Sequence, residues 1–212
     1  MHSETQTVDQ RPPSFIEQAR RAQIIDCAIA AIAELGFAQA SLAQIAKRAN
    51  VSTGVILYYF AGKEELIRAV VAHVYGRGAE LITPAVNAEP TARGALLAFI
   101  RANVAFFRDH PDYGRAVMHI SRSGVPGAFD PGVDQPRQTA FRAILAAGQQ
   151  SGEFRAFSVD VMATSIVESM DIIPRRHADN PALDLDAYAA ELVELFDRAT
   201  RAHHPDQDVQ SP

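Results

Sequence analysis

Cysteine occurs once in these 212 residues, at Cys27, and lysine only twice, at Lys47 and Lys63. A single thiol cannot close an internal disulfide, so a disulfide-stapled scaffold is excluded. Cys27 lies in the apolar run CAIAAIA, where a buried structural thiol is a better reading than a nucleophile. No uninterrupted apolar stretch approaches the ~20 residues needed to span a bilayer, and MHSETQTVDQRPPS lacks the basic-then-apolar order of a secretory signal. A cytoplasmic protein with no membrane partner is expected, and the Asn50-Val51-Ser52 sequon is then chance. An excess of basic charge is missing as well, because Lys+Arg total 20 against 25 Asp+Glu, a formal net charge of −5. The deficit is uneven. Residues 1–75 hold seven basic and seven acidic side chains, so the whole excess of acid falls on 76–212.

With 48% hydrophobic and 21% charged residues, the chain can bury a substantial core as one or two helical domains, which excludes disorder for most of it. Helix-period patterning dominates, and no convincing alternating strand or fixed-period repeat is found, so the class is all-α. Residues 1–13, with Pro12-Pro13, read as a disordered arm. From Ser14 to Leu35, Ile25, Ala28, Ile29, Ile32 and Leu35 recur at three and four, ending at Gly36, a left-handed cap. Ser41 and Gln44 open a short helix to Ala49 as a capping box, its apolar face being Leu42, Ile45, Ala46 and Ala49. Ser52 caps a third short helix containing Val55, Ile56 and Phe60. Three such helices are unstable alone but can share one core.

A longer helix starts at Lys63-Glu64-Glu65-Leu66 and runs towards Pro84, its acidic first turn matching the helix dipole. Five more helices are read over 91–109, 111–122, 137–150, 158–173 and 184–202. Residues 123–136, SGVPGAFDPGVDQP, read as one long loop, and 203–212 as a flexible tail. The domain reading is an arm over 1–13, a head over 14–62 and a larger helical body over 63–202, with 63–83 as the connecting helix.

The informative stretch is 41–66, whose spacing fits two helices crossing over a short turn. Asn50 tolerates the positive φ such a turn needs, Ala46 lets the backbones approach, and Val51 and Ile56 supply shared core. If Ile56 and Phe60 face inward, Thr53, Gly54, Leu57 and Tyr58 face outward. Duplex DNA suits such a surface, since a recognition helix enters the major groove by its N-terminal part. Gly54 would permit close approach, Leu57 could meet a thymine methyl, and Thr53 a base or phosphate. The hydroxyls of Tyr58 and Tyr59 and the ammonium of Lys63 could grip phosphates. Packing of the same residues against other protein, as in a helical hairpin, is the plain alternative.

These residues resemble the DNA-binding segment of the TetR family of bacterial repressors, with Ile45-Ala46, Val51-Ser52-Thr53-Gly54, Tyr59-Phe60 and Lys63-Glu64-Glu65-Leu66 in register over about 20–75. The STGVI-x-x-YF run is also similar to the choline-responsive repressors of betaine synthesis, whose ligand is not extended to this chain. The resemblance implies that Thr53, Gly54 and Leu57 touch bases while Ser41, Ser52, Tyr58, Tyr59 and Lys63 touch or approach the sugar-phosphate backbone. Asn50 departs from the family's usual turn glycine and Leu57 from a frequent tyrosine. Arg20, Arg21, Lys47 and Arg48 are weaker contributors to the same field.

The resemblance further implies an all-helical homodimer of about nine helices, joined through the last two long ones. One stripe there is Met162, Ile166, Ser169, Met170 and Ile173, and another is Tyr188, Leu192, Leu195, Phe196 and Ala199. Such stripes also serve as intramolecular core. A small-molecule pocket among the middle helices would draw on Phe99, Asn103, Phe106, Phe107, Met118, His119, Phe141 and Met170, each of which core packing also explains. Arg175-Arg176-His177 reads as the end of a helix, and His203-His204 makes a poor metal site, so no metal or cofactor is expected.

The expected activity is a transcriptional regulator, a repressor that binds a palindromic operator as a dimer and is released by a small-molecule effector. The rival is a small helical enzyme acting on apolar molecules. Against it, HExxH, GxSxG and Walker sequences are all missing. A protein-docking adaptor is the third reading.

Overall fold

A computed structural model describes residues 14–129 and 131–202, and over 131–137 the backbone alone. The arm before Ser14, the tail after Ala202 and His203-His204 lie outside the described residues. Among the described residues ten helices follow one another, against about nine expected, and the all-α class holds: α1 Phe15–Leu35, α2 Leu42–Ala49, α3 Thr53–Tyr59, α4 Lys63–Asn87, α5 Ala92–Asp109, α6 Pro111–Ser121, α7 Pro131–Gln150, α8 Val159–Asp171, α9 Ile173–Asp179 and α10 Leu185–Thr200.

The N-terminal helices form because their ends are chemically closed. Glu17 accepts from the Ser14 backbone amide at 2.7 Å while Ser14 Oγ accepts from the Glu17 amide, a complete capping box on α1. At Ser41 the recorded bond is the serine half, Oγ accepting from Gln44 N–H at 3.2 Å. Ser52 Oγ does the same for Val55 at 3.3 Å. Asn50 ends α2 in the left-handed region, φ 53 and ψ 47, and its amide turns back to Ala46 and Lys47. Gly36 also has positive φ, 79, but with ψ 162 it is a glycine-only conformation rather than the left-handed helical cap expected.

Two cores follow. The first is built from Ile24, Ile29, Ile32, Ile45, Ile56 and Phe60, each at most 2% exposed, and continues into Leu66, Ile67, Val70 and Val71 of α4 and Ala116 and Ile120 of α6. Each buried isoleucine contributes about 1.5–3 kcal/mol by removal from water. The head therefore rests directly on α4 and α6. The second core gathers Leu96, Ile100 and Val104 of α5 with Phe141, Leu145, Phe154, Ile166, Met170 and Ile173, closed by Leu192 and Phe196 of α10.

Three boundaries differ from the sequence reading. α4 runs past Pro84 to Asn87, because residues 83–85 are exposed and the proline costs only one backbone bond near the helix end. α7 begins at Pro131, inside the stretch read as loop, since proline is a good first helical residue. The helix read over 158–173 ends at Asp171, and Arg175, Arg176 and His177 belong to α9. Among the described residues no helix is long and apolar enough to cross a membrane.

The base of the body is held by a cluster of ion pairs. Arg93 of α5 donates through Nε and Nη2 to Asp197 of α10 at 2.5 and 2.8 Å, and Arg201 pairs with the same carboxylate. The two guanidiniums hold the Asp197 carboxyl down to about 2. Glu153 adds bonds to the Ala92 and Arg93 amides at 3.2 and 3.0 Å.

Candidate functional site: a nucleic-acid interface and a ligand cavity

α3 is oriented by its two inward anchors. Ile56 is fully buried and Phe60, its C-cap, is 1% exposed, which turns Leu57 and Tyr58 outward at 50% and 73% exposure. Thr53 is half-buried at the first helical position, and Gly54 is exposed beside it. A Cβ added at Gly54 would meet only Ser52 Oγ, at 3.6 Å. The protein's own packing therefore does not require a glycine there. Tyr58 reaches Glu17 with a long O–H contact of 3.4 Å, and its ring meets Tyr59 edge-on at 5.0 Å. The structure thus brings Ser52, Thr53, Gly54, Leu57, Tyr58 and Tyr59 together on one short helix and its cap, with Ser41 capping α2 alongside.

Lys63 is placed more tightly than a solvated lysine. Its ammonium donates to the Phe37 carbonyl at 2.8 Å and lies 4.3 Å from the Phe37 ring centre, and burial lowers its pKa. An ammonium carries three donors, so two remain for other partners. Of the weaker cations, Arg48 pairs with Glu34, Arg20 bonds Gln23 at 2.7 Å, and Arg21 lies 4.9 Å over the Phe60 ring. Cys27 is half-buried and burial pushes its thiol up, which keeps it protonated.

Behind the head, α4 to α9 line an open cavity of about 1490 Å³. Six residues expected at a pocket line it: Phe99, Asn103, Phe106, Phe107, Met118 and Phe141. His119 and Met170 do not. Met170 is fully buried in the second core, and the His119 ring turns to α1, 3.8 Å from where a side chain at Gly36 would begin. Sequence reasoning missed the long contribution of α4, including Tyr75, Gly78, Ile82 and Val86. Its pattern reads as ordinary core, and nothing in it marks an unfilled space.

The cavity and the head share side chains. Phe106 lines the cavity and stacks on His110 at 5.0 Å, whose Nδ1 lies 3.0 Å from the Phe106 carbonyl. His110 leans on Tyr113, the Tyr113 hydroxyl lies 3.4 Å from His73 Nε2, and His73 lies 3.6 Å from Asp26 of α1. Burial, with Asp26 nearby, raises the Tyr113 phenol. None of these links was visible as a motif.

The stripes on α8 and α10 need a correction. Ile166 and Ile173 are fully buried, and Leu192 and Phe196 are 8% and 6% exposed, all inside one chain. They belong to the second core, so they serve as intramolecular packing. Met162, Ser169 and Tyr188 are half-buried, and Leu195, at 57%, is the exposed member of the set.

Fold and site together define a class, an all-α protein with an N-terminal helix-turn-helix head on a body with an open cavity. Residues 24–70 match the model of the bacterial regulatory proteins, tetR family. The HTH-type transcriptional regulator BetI of Burkholderia thailandensis is 35% identical over 107 residues, 50% of this chain and 53% of that protein, so the chain matches about half the length of this curated relative. Among solved structures, the transcriptional regulator FadR from Bacillus subtilis, in complex with stearoyl-CoA, aligns with a TM-score of 0.76 at 24% identity, over 82% of this chain and 96% of that one. A tetR-family regulatory protein from Rhodococcus RHA1 aligns with a TM-score of 0.75 at 24% identity, over 87% and 98%. At these identities the structural likeness establishes the fold. The match over residues 24–70, the BetI relative and the shared fold together support a TetR family regulator.

Proposed function

We propose that the protein is a DNA-binding transcriptional repressor that grips a palindromic operator as a dimer and is released by a small-molecule effector. The observation that carries this reading is the outward face of α3. Leu57, Tyr58 and an unencumbered Gly54 stand on a helix anchored by Ile56 and Phe60, the arrangement that lets side chains reach base edges. Thr53, Gly54 and Leu57 take the bases. Ser41, Ser52, Tyr58, Tyr59 and Lys63 take the backbone. One such helix reads few base pairs, so two are needed, related by a two-fold axis. The dimer contact falls on outward faces of α8 and α10, where Val161 and Leu195 stand 66% and 57% exposed.

The effector occupies the cavity. Its aromatic walls suit a molecule with a large apolar part, and the FadR of Bacillus subtilis, a fold neighbour, holds stearoyl-CoA. The effector must bind better to the state with low DNA affinity, and the coupling is reciprocal. Phe106, His110, Tyr113, His73 and Asp26 form a contiguous route by which a filled cavity displaces α4 and α1 and changes the spacing of the two heads.

The test is selection from a random duplex library, which should return a palindromic consensus. Tyr59→Phe and Lys63→Ala should weaken binding to all sequences, Lys63→Ala should lower the salt slope, and Leu57→Ala should change base preference. Unchanged operator binding in all three variants would sink the assignment.

A further inference from the structure

The buried part of the cavity wall is apolar except at one point, with polar residues such as Thr83, Ser121 and Arg122 standing at exposed positions. Of the buried polar or charged residues described, Asn103, Asp197 and Thr200, only Asn103 borders the cavity, and it is 3% exposed. It stands one turn after Phe99 on α5, close to Phe106 and Phe107 in the next turn. Its Nδ2 donates to the Phe99 carbonyl at 2.8 Å. A carbonyl can only accept, so this bond fixes which amide atom is nitrogen.

The bond uses one of the amide's donors. Among the described residues the second N–H and the oxygen have no further partner. Among the described residues, the only polar side-chain atom that is both sealed from solvent and unpaired is His177 Nδ1. The Asn103 amide oxygen is therefore not sealed, and the residue lines the cavity. Around it the surface is aromatic, with Phe99 stacked on Phe141 at a centroid distance of 4.3 Å.

A free donor and a free acceptor in an apolar wall select by the cost of desolvation. A carboxylate brought to this depth would exchange full hydration for one or two amide contacts, with no buried cation to meet it. Arg122 and Arg175 border the cavity at exposed positions, but so do Glu89, Glu168 and Asp171, so the charged groups around it carry no net positive charge. A neutral hydroxyl or carbonyl loses far less hydration and gains a directed bond. We infer that Asn103 is a specificity residue that selects an effector carrying a neutral hydrogen-bonding group, a hydroxyl or a ketone, ester or thioester carbonyl, on an apolar frame, over the corresponding free acid. This rests on the reading of the cavity as the effector site.

The test is calorimetric titration of the full chain, wild type, Asn103→Leu and Asn103→Ala, with dodecanol, the methyl ketone of the same length and dodecanoate. The neutral pair should bind the wild type roughly 10-fold more tightly than dodecanoate and lose roughly 10-fold in both variants, as expected for one lost hydrogen bond. Dodecanoate should change by less than about 2-fold. Thermal melts confirm which variants are folded, and Asn103→Ala serves if the leucine overfills the site. Tightest binding by dodecanoate, or neutral ligands indifferent to both substitutions, overturns the role of Asn103 while leaving the cavity as an effector site. No binding by any of the three compounds overturns the inference as well. The effector reading fails separately, if no compound from a broad library alters operator binding.

Discussion

In the head, Ile24, Ile29, Ile32, Ile45 and Ile56 are between 0 and 2% exposed and press against one another. In the body, Phe107, Val117, Met118 and Ile144 are only half-buried and face a space of about 1490 Å³. Both regions are helical and rich in apolar side chains, yet one is filled by its own residues and the other is left incomplete. The difference follows from what each must hold still. If α3 reads DNA as proposed, Leu57 and Tyr58 must be held at fixed positions, which a close-packed support provides. The proposed effector site, by contrast, needs packing energy that is withheld until a ligand supplies it.

The sharpest way to break this comparison is to cut the same amount from each interior. Ile56→Ala should cost about 3 kcal/mol, lower the melting temperature by roughly 6–12 °C and abolish operator selection. Ile144→Ala, on the half-buried cavity wall, should cost less than about 1.5 kcal/mol. Equal losses in thermal melts would mean that the cavity wall is as tightly held as the head.

The next effect concerns what holds the body around its cavity. Asp197→Ala should cost about 2 kcal/mol at neutral pH, because it frees Arg93 and Arg201 and unstitches α5 from α10. The carboxyl lies at about 2 in the folded chain against an ordinary 3.8. A depressed acid stabilises the fold above its unfolded value, so this contribution is complete above about 4 and is lost as the pH falls towards 2. Wild-type and variant melting curves should therefore converge over that acid range.

Between the two regions runs α4, with Gly76 in its middle. A Cβ there meets nothing within 4 Å, so Gly76→Ala should raise stability by about 0.5–1 kcal/mol through helix propensity alone. A melting temperature that falls instead would show that α4 needs the glycine's freedom. The smallest expected effect on stability is at the reading surface itself. Leu57→Ala should shift folding by less than about 0.5 kcal/mol while changing the selected bases, as measured by melts and by repeat library selection.

The head was almost wholly legible. Ser14, Ser41, Ser52 and Asn50 act through hydrogen bonds that span three or four residues, so their meaning survives in the sequence alone. The periodicity that buried Ile45 and Ile56 also exposed Leu57 and Tyr58. Lys63 was placed in the right helix, but its bond to the Phe37 carbonyl joins residues 26 apart and left no sequence signal. In the body, Phe99, Phe106 and Phe141, expected at a pocket, line the cavity, whereas Met170 and His119 share their composition and lie elsewhere. Ile166 and Phe196 show the same difficulty at the surface, since an apolar stripe does not say whether its partner lies in the same chain.

The sequence by itself determined the helical class, the exposed face of α3, and the even charge balance of residues 1–75 against the acidic excess of 76–212. Local backbone chemistry and a 3.6-residue period carry all three. Tertiary structure alone decided where α4 to α9 leave a cavity, which stripes become core, and that Asn103 keeps half its amide free. These depend on distances between segments far apart in the chain, and a one-dimensional pattern of apolar residues is the same whether the space they face is filled or empty.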